Sequence, residues 1–269
     1  MTEPLLELKH VIVMRGERAA LDDVSLTIGA GEHVCILGPN GCGKSTLIKT
    51  ITRECYPLAR EGSSIKILGR ELWNVSELRN LLGIVSPDLL TQCSTEATGR
   101  DVVLSGFFSS TRIFPHHQPE AEWLARADSA MERLGIAHLA DRAVAHMSSG
   151  EAKRTLIARA LVHEPLTLLF DEPSNALDLA AQFQLRDTMR ALAVGDGGRN
   201  DGATAGLGVL LVTHHVTEII PEIERVVLLR GGRILADGPK DQILTAANLS
   251  SLFGVPVQLS RSDGYFQAW

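Results

Sequence analysis

The run Gly38-Pro39-Asn40-Gly41-Cys42-Gly43-Lys44-Ser45-Thr46 constrains this chain more than any other segment. It fits GxxxxGK[ST] and stands between HVCIL, a continuous apolar run suited to a buried parallel strand, and STLIKTIT, which reads as a helix. Strand, glycine-rich turn and helix open a βαβ unit, so the expected fold class is α/β with a mostly parallel sheet. The glycines let the backbone curl until several N–H groups point at one anion. A Cβ at Gly41 or Gly43 is expected to collide with that curl or with the phosphates. The helix beyond adds its dipole and free N–H groups. Lys44 supplies a point charge for the β- and γ-phosphates of a nucleotide, and the Ser45 hydroxyl a ligand for Mg2+.

Downstream, LTLLFDE at 166–172 is an apolar strand that ends in two carboxylates. Acidic residues often follow buried strands, but behind a phosphate loop the pair is the expected second half of the site. Asp171 would hold Mg2+ through water, and Glu172 would polarise the attacking water as a base near the γ-phosphate.

The rest of the chain is organised around these two segments. LLELKHVIV, RGER and DDVSLTI predict a small antiparallel sheet before the loop. From about residue 95 to 147 the pattern is helical, with Leu124, Ala127, Met131 and Leu134 on one face. Parallel-strand runs return at 166–170 and 208–212, with the glycine-rich stretch 195–206 before the second reading as a linker. RVVLLRGGRILADG reads as a hairpin turning on Gly231-Gly232, followed by a short helical tail.

Composition enters mainly to exclude. A net charge of −6 argues against a general nucleic-acid binder, and no nucleic-acid partner is expected. The four cysteines, Cys35, Cys42, Cys55 and Cys93, form no CxxC pair and read as reduced thiols. The start, MTEPLLELKH, is not read as a signal peptide, and no apolar stretch approaches the roughly 20 residues that span a bilayer. A soluble chain is expected, with any membrane role running through a partner.

Three further segments, MSSGEAKR at 147–154, EPSNALD at 172–178 and VTHH at 212–215, resemble the signature motif, D-loop and switch histidine of the ATP-binding-cassette (ABC) proteins. The resemblance covers essentially the whole chain. It implies a single ABC nucleotide-binding domain over 1–269, with a P-loop NTPase core at 1–94 and 148–238 that includes an N-terminal antiparallel β subdomain. An α-helical subdomain at about 95–147 and a C-terminal tail at 239–269 complete it. It assigns Lys44, Ser45 and Thr46 to phosphates and metal, Asp171 to magnesium, Glu172 to the catalytic base, and His214 to the γ-phosphate and the water. It places Ser148, Ser149, Gly150 and Glu151 opposite the ATP of a second copy, with Asp178 joining the two sites. Function would then require a head-to-tail homodimer that sandwiches two Mg-ATP.

Two positions depart from the family pattern. Arg15 precedes Gly16 where an aromatic residue usually meets adenine; a guanidinium can stack on a base, or Arg15 is an ordinary surface arginine. Pro87 and Asp88 stand where a glutamine usually follows the strand resembling GIVS, leaving Asp88 or Gln92 as its replacement.

SSGE, VTHH and TGRDVVLSGFF are similar to a bacterial branch grouped with ATP-binding subunits of molybdate and iron-complex importers. The leading expectation is therefore the ATPase subunit of an importer, working through a separate membrane permease at the cytoplasmic face. Two alternatives are a soluble cassette ATPase that drives assembly or repair, and a nucleotide-sensing module; intact Glu172 and His214 argue against the latter. For permease docking the candidate is VVLSGFFSSTRIF at 102–114, where Phe107, Phe108, Ile113 and Phe114 either receive a helix or form the insert's own core.

Overall fold

The computed structural model describes residues 3–93, 96–114, 117–195 and 206–269. Most of the glycine-rich stretch read as a linker lies outside these residues. The chain begins with β1 (Leu6–Arg15) and β2 (Arg18–Ile28), an antiparallel pair, then β3 (His33–Leu37), α1 (Lys44–Ile51) and β4 (Ser64–Ile67). Next come α2 (Val75–Leu81), β5 (Leu82–Val85) and α3 (Pro87–Gln92), followed by α4 (Gly99–Ser105), α5 (Ala121–Arg133) and α6 (Ser149–Leu161). The second half holds β6 (Thr167–Asp171), α7 (Leu179–Val194), β7 (Gly208–Thr213), β8 (Arg225–Arg230) and β9 (Arg233–Pro239). It closes with α8 (Lys240–Ile243), α9 (Ala246–Phe253), β10 (Leu259–Ser262) and β11 (Tyr265–Ala268).

The central sheet runs β5-β6-β7-β3-β8-β9, parallel throughout except for the antiparallel edge strand β9. Its order places β3 between β7 and β8, so the strand that feeds the phosphate loop is central and buried on both faces. Val34 and Ile36 pack toward the antiparallel sheet and α1 with Leu6, Leu8 and Leu47. Cys35 and Leu37 pack the other way with Phe170, Leu156 of α6 and Met189 of α7. Phe170 is fully buried in that second layer, and truncating a side chain so placed to alanine costs about 3–5 kcal/mol.

A third apolar cluster joins Val103 and Leu104 of α4 to Ala127, Ala130 and Met131 of α5 and to Ala158 and Val162 at the end of α6. Here one expectation needs correction. Ala127 and Met131 are buried as their spacing predicts, but Leu124 is 38% exposed. The buried stripe of α5 runs instead through Ala127, Ala130 and Met131, with Trp123 and Leu134 partly buried beside it. Leu124 shares that side of the helix by spacing, but it stands at the edge of the stripe in the first turns of α5 and remains exposed.

Two strands lie outside the expected plan. β4 pairs antiparallel with β1, Leu6 opposite Ile67, so the N-terminal sheet has order β2-β1-β4. The tail is also not only helical. β10 and β11 form a hairpin over Asp263 (φ 52°) and Gly264 (φ 82°), the left-handed pair that a two-residue turn requires. The β8–β9 hairpin does turn on Gly231 and Gly232, both at positive φ.

Candidate active site

Parallel register brings the functional segments to one edge. Leu37 of β3 pairs with Thr213 of β7, and Asp171 of β6 pairs with Val212 of β7. The phosphate loop, the two carboxylates and His214 therefore leave three adjacent strands at their carboxyl ends, the edge where open α/β sheets bind ligands.

The loop is shaped by its glycines and braced from outside. Gly43 (φ 111°) is the residue before α1, and a Cβ on it would lie 2.4 Å from the Ala20 carbonyl oxygen. A Cβ on Gly38 would lie 2.3 Å from the Leu229 carbonyl oxygen and 2.6 Å from Cys42 Sγ. At Gly41 a Cβ meets no protein atom within 4 Å, so of the two expected collisions the one with the curl is found at Gly43 only. Within the protein itself, what favours glycine there is φ 76°. Gly38 N–H donates to the Thr213 carbonyl at 3.2 Å, and Gly232 N–H donates to the Cys42 carbonyl at 2.8 Å. No side chain caps α1, so its first N–H groups stay available to an anion. Asn40 and Thr46 complete the loop, Thr46 buried and Asn40 exposed.

Lys44 is nearly buried, its ammonium donating to the carbonyls of Gly38 at 2.8 Å and Pro39 at 3.1 Å. It also lies 3.3 Å from Glu172 Oε1. Glu172 has φ 44°, a left-handed backbone rare for a side chain of this kind and held by its N–H bond to the Val212 carbonyl at 2.8 Å. That twist points its carboxylate back over the loop, where Asn175 Nδ2 donates to Oε2 at 2.8 Å. His214 Nδ1 approaches Oε1 to 3.2 Å, a close contact without hydrogen-bond alignment.

The two carboxyls are driven apart. Burial, then the charge of Glu172, pushes the Asp171 pKa from 3.8 up to about 6. Burial also acts to raise Glu172, but the Asn175 hydrogen bond, the Lys44 charge and His214 outweigh it and hold Glu172 below its ordinary value. A pair separated in this way has a carboxylate free to accept a proton beside one short of a partner. Asp171 Oδ1 is buried with no hydrogen-bond donor. With the Ser45 hydroxyl in the same cleft, this orphaned oxygen fits Mg2+, a hard cation held by one or two protein oxygens plus substrate phosphates. Among the described residues no group of three or more His, Cys, Asp or Glu could hold a metal alone.

Asn175 is absent from the sequence-derived site. The only signal for it was its place three residues after Glu172, in a turn where its N–H donates to the Glu172 carbonyl at 3.2 Å.

Other predicted residues lie apart. Ser148 caps α6 and forms a reciprocal capping box with Glu151: Glu151 N–H donates to Ser148 Oγ at 3.2 Å, and Ser148 N–H to Glu151 Oε2 at 2.7 Å. The Ser148 backbone bond is the main cause holding the Glu151 pKa low. Asp178 caps α7, accepting from Ala181 N–H at 2.8 Å. The two helix starts adjoin, since a Cβ on Gly150 would lie 3.2 Å from Ala181 Cβ. Ser148, Ser149 and Asp178 are exposed, and none of them lines the cleft that holds Ser45 and Glu172. Arg15 ends β1 opposite Arg18, exposed at the β1–β2 turn, its side chain without a hydrogen bond or ion pair among the described residues.

The cleft has a volume of about 660 Å3. It runs from Ser45, Asp171 and Glu172 past Asp88 and Gln92 on α3 to Arg159 and His163. The phenylalanines of 102–114 are largely engaged with their neighbours. Phe107 stacks on Trp123 at 4.9 Å, and Phe108 stacks on His117 at 3.9 Å.

Residues 21–175 match the family model described as ABC transporter. Over 258 residues the chain is 31% identical to the hemin import ATP-binding protein HmuV of Bordetella avium, covering 93% of this chain and 92% of that protein. It is 31% identical to the zinc import ATP-binding protein ZnuC of Marinobacter nauticus, covering 90% and 80%. Among solved structures it is similar to an ABC transporter in an inward-facing conformation, with TM-score 0.75, 25% identity and coverage of 99% and 96%. It is also similar to a dimeric ATP-binding cassette in a post-hydrolysis state with ADP and phosphate, with TM-score 0.69, 26% identity and coverage of 87% and 98%. No described helix is long and apolar enough to cross a membrane.

Proposed function

Because the chain belongs to the ABC transporter family as an ATP-binding subunit, we propose that it hydrolyses Mg-ATP between two head-to-tail copies and drives import through a separate membrane permease. The observation that carries the reading is the convergence of Lys44, Glu172 and His214, with Glu172 Oε1 within 3.3 Å of Lys44 Nζ. Lys44 exchanges its carbonyl partners for β- and γ-phosphate oxygens, which releases Glu172. Glu172, kept ionised by Asn175 and the nearby cations, accepts a proton from the attacking water. His214 positions that water and meets the γ-phosphate. Ser45 and Asp171 would hold Mg2+, Asp171 through water, and the ion would supply charge neutralisation along the phosphates.

Ser148, Ser149 and Gly150 stand at the start of α6, the two serines exposed, outside their own cleft. A second copy is what gives them a phosphate to face, with Asp178 beside the junction. The β1–β2 turn runs beside the loop, as the nearness of Ala20 to Gly43 requires, and we place adenine against Arg15 there. We read residues 95–147, packed on α6, as the helical subdomain that meets the permease at the cytoplasmic face of the membrane. The names of the hemin and zinc import relatives support import as the direction.

Glu172→Gln tests the reading, since it keeps the side-chain size and removes the base. The variant is expected to bind ATP, lose turnover and elute as a dimer in Mg-ATP by size-exclusion chromatography, and as a monomer without nucleotide. Hydrolysis at the wild-type rate refutes the role of Glu172, and a monomer in Mg-ATP refutes the shared site.

A further inference from the structure

We propose that Arg186 is a positioning residue for ATP hydrolysis, fixing the backbone just beyond His214 while the ring of Tyr265 holds it in turn, so that the C-terminal hairpin takes part in the reaction. This rests on the nucleotide reading above and gives a role to two residues that reading does not use. The His214 side chain does not hold itself in place. Its Nδ1 is buried without a hydrogen-bond partner, and its ring lies 3.8 Å from that of His215. The aim of the imidazole is therefore set by the backbone that carries it. That backbone runs from Thr213 at the end of β7 into a 3-10 turn at Val216–Glu218.

Among the described residues, two side chains from other elements bond to this turn. Ser174 Oγ donates to Glu218 Oε1, and both residues are buried. Arg186 of α7 donates through Nη1 to the Thr217 carbonyl oxygen at 3.2 Å. One such bond at the exposed side of a turn would leave a long side chain loose, but this guanidinium lies over two rings. It is 4.2 Å from the ring centroid of Phe183 and 5.1 Å from that of Tyr265. Both lie within the roughly 6 Å at which a cation is attracted to a ring face, and a stacked, planar guanidinium keeps its donors aimed. Phe183 belongs to α7 itself and steadies Arg186 on its own helix. Tyr265 belongs to β11, which packs against the turn. Phe266 beside it is buried in the same apolar cluster as Ile219, Ile220 and Ile223. Hairpin, α7 and turn therefore form one packed unit behind His214. Since α7 starts at Asp178, Arg186 also ties the histidine's backbone to the helix that leads from the junction with a second copy.

The test measures turnover of Mg-ATP by the full chain and, by calorimetry, its affinity for ATP. Arg186→Ala is expected to lower kcat at least about 10-fold, inside the 100-fold that a misplacement of about 1 Å can cost, with ATP affinity little changed. A loss confined to kcat marks a contact that matters in the transition state, whereas general loosening of the fold does not spare binding. Tyr265→Ala is expected to lower kcat less, and Tyr265→Phe, which keeps the ring, to recover that loss. Arg261→Ala removes another arginine of the hairpin, one paired with Asp241 at 3.0 Å, and is expected to turn over as wild type. The proposal is overturned if Arg186→Ala keeps the wild-type kcat, if it weakens ATP binding as much as turnover, or if Arg261→Ala loses as much. Should Arg186→Ala fail to fold, the Tyr265 pair decides, and a wild-type rate in Tyr265→Ala overturns the proposal. Wild-type protein without ATP turnover overturns the nucleotide reading itself, and this proposal with it.

Discussion

Lys44 Nζ and Glu172 Oε1 lie 3.3 Å apart, so the phosphate-loop cation and the carboxylate beyond β6 form one ion pair. The lysine is 4% and the glutamate 21% exposed, and removing one member of such a shielded pair leaves the other charge poorly compensated. Lys44→Ala is expected to lose at least about 3 kcal/mol of ATP affinity, the worth of one or two hydrogen bonds to a charged group. Calorimetry reads this directly, and equal affinity in the variant would sink the assignment of the loop.

The loop glycines separate two costs. Gly41→Ala meets only an unfavourable φ, for which about 1–2 kcal/mol is expected. Gly43→Ala adds a Cβ 2.4 Å from the backbone oxygen of Ala20, at a φ of 111° that lies farther outside the left-handed region. Urea denaturation should therefore rank Gly43→Ala as clearly the less stable of the two. Equal midpoints would mean that the β2 contact does not brace the loop.

Asp171 gives the nucleotide-free protein a pH signature. A carboxyl whose folded pKa lies above its unfolded value keeps its proton better in the folded chain. Its contribution is thus fully present below pH 3.8 and is lost as pH rises through about 6. At neutral pH Asp171 is ionised against its surroundings, and Asp171→Asn is expected to stabilise the protein by on the order of 1–2 kcal/mol. The gain should shrink as pH falls toward 4. Thermal melts at several pH values, without nucleotide or divalent cation, check both parts; a gain that grows on acidification contradicts the assignment.

Arg15→Ala separates the base from the phosphates. Loss of one stacking partner costs about 1–3 kcal/mol of ATP affinity, while binding of inorganic triphosphate should not change. Unchanged ATP affinity by calorimetry returns Arg15 to the ordinary exposed surface.

The parts of the site legible in the sequence are those whose constraints are local. The loop glycines were legible because left-handed backbone leaves few other choices, and Asp171 and Glu172 because a buried strand runs into them. Asn175 was not, since its value depends on the twist at Glu172 that aims the carboxylate toward it. In the fold, β4 is four residues long and joins β1 across a wide sequence gap, so no local period announced it. The terminal hairpin did carry a local cue, Asp263-Gly264, that a helical reading of the tail passed over. The segment 102–114 offered phenylalanines for either a core or a docking groove. The stacking of Phe107 on Trp123 and of Phe108 on His117 depends on rings far enough along the chain that spacing alone could not pair them.

The hydrogen bond from Gly232 to the Cys42 carbonyl has a bearing on the order in which the molecule assembles. The loop is encoded near the start of the chain, yet its outer brace sits in the β8–β9 turn near the end. Closing so long a span costs entropy that the docking of β8 beside β3 helps to repay. A nascent chain released only as far as β7 carries the whole phosphate-binding sequence, with the Thr213 and Ala20 contacts in reach but without the Gly232 brace. Completion of the nucleotide cradle is therefore a late event of folding, coupled to synthesis of the last 56 of the 269 residues.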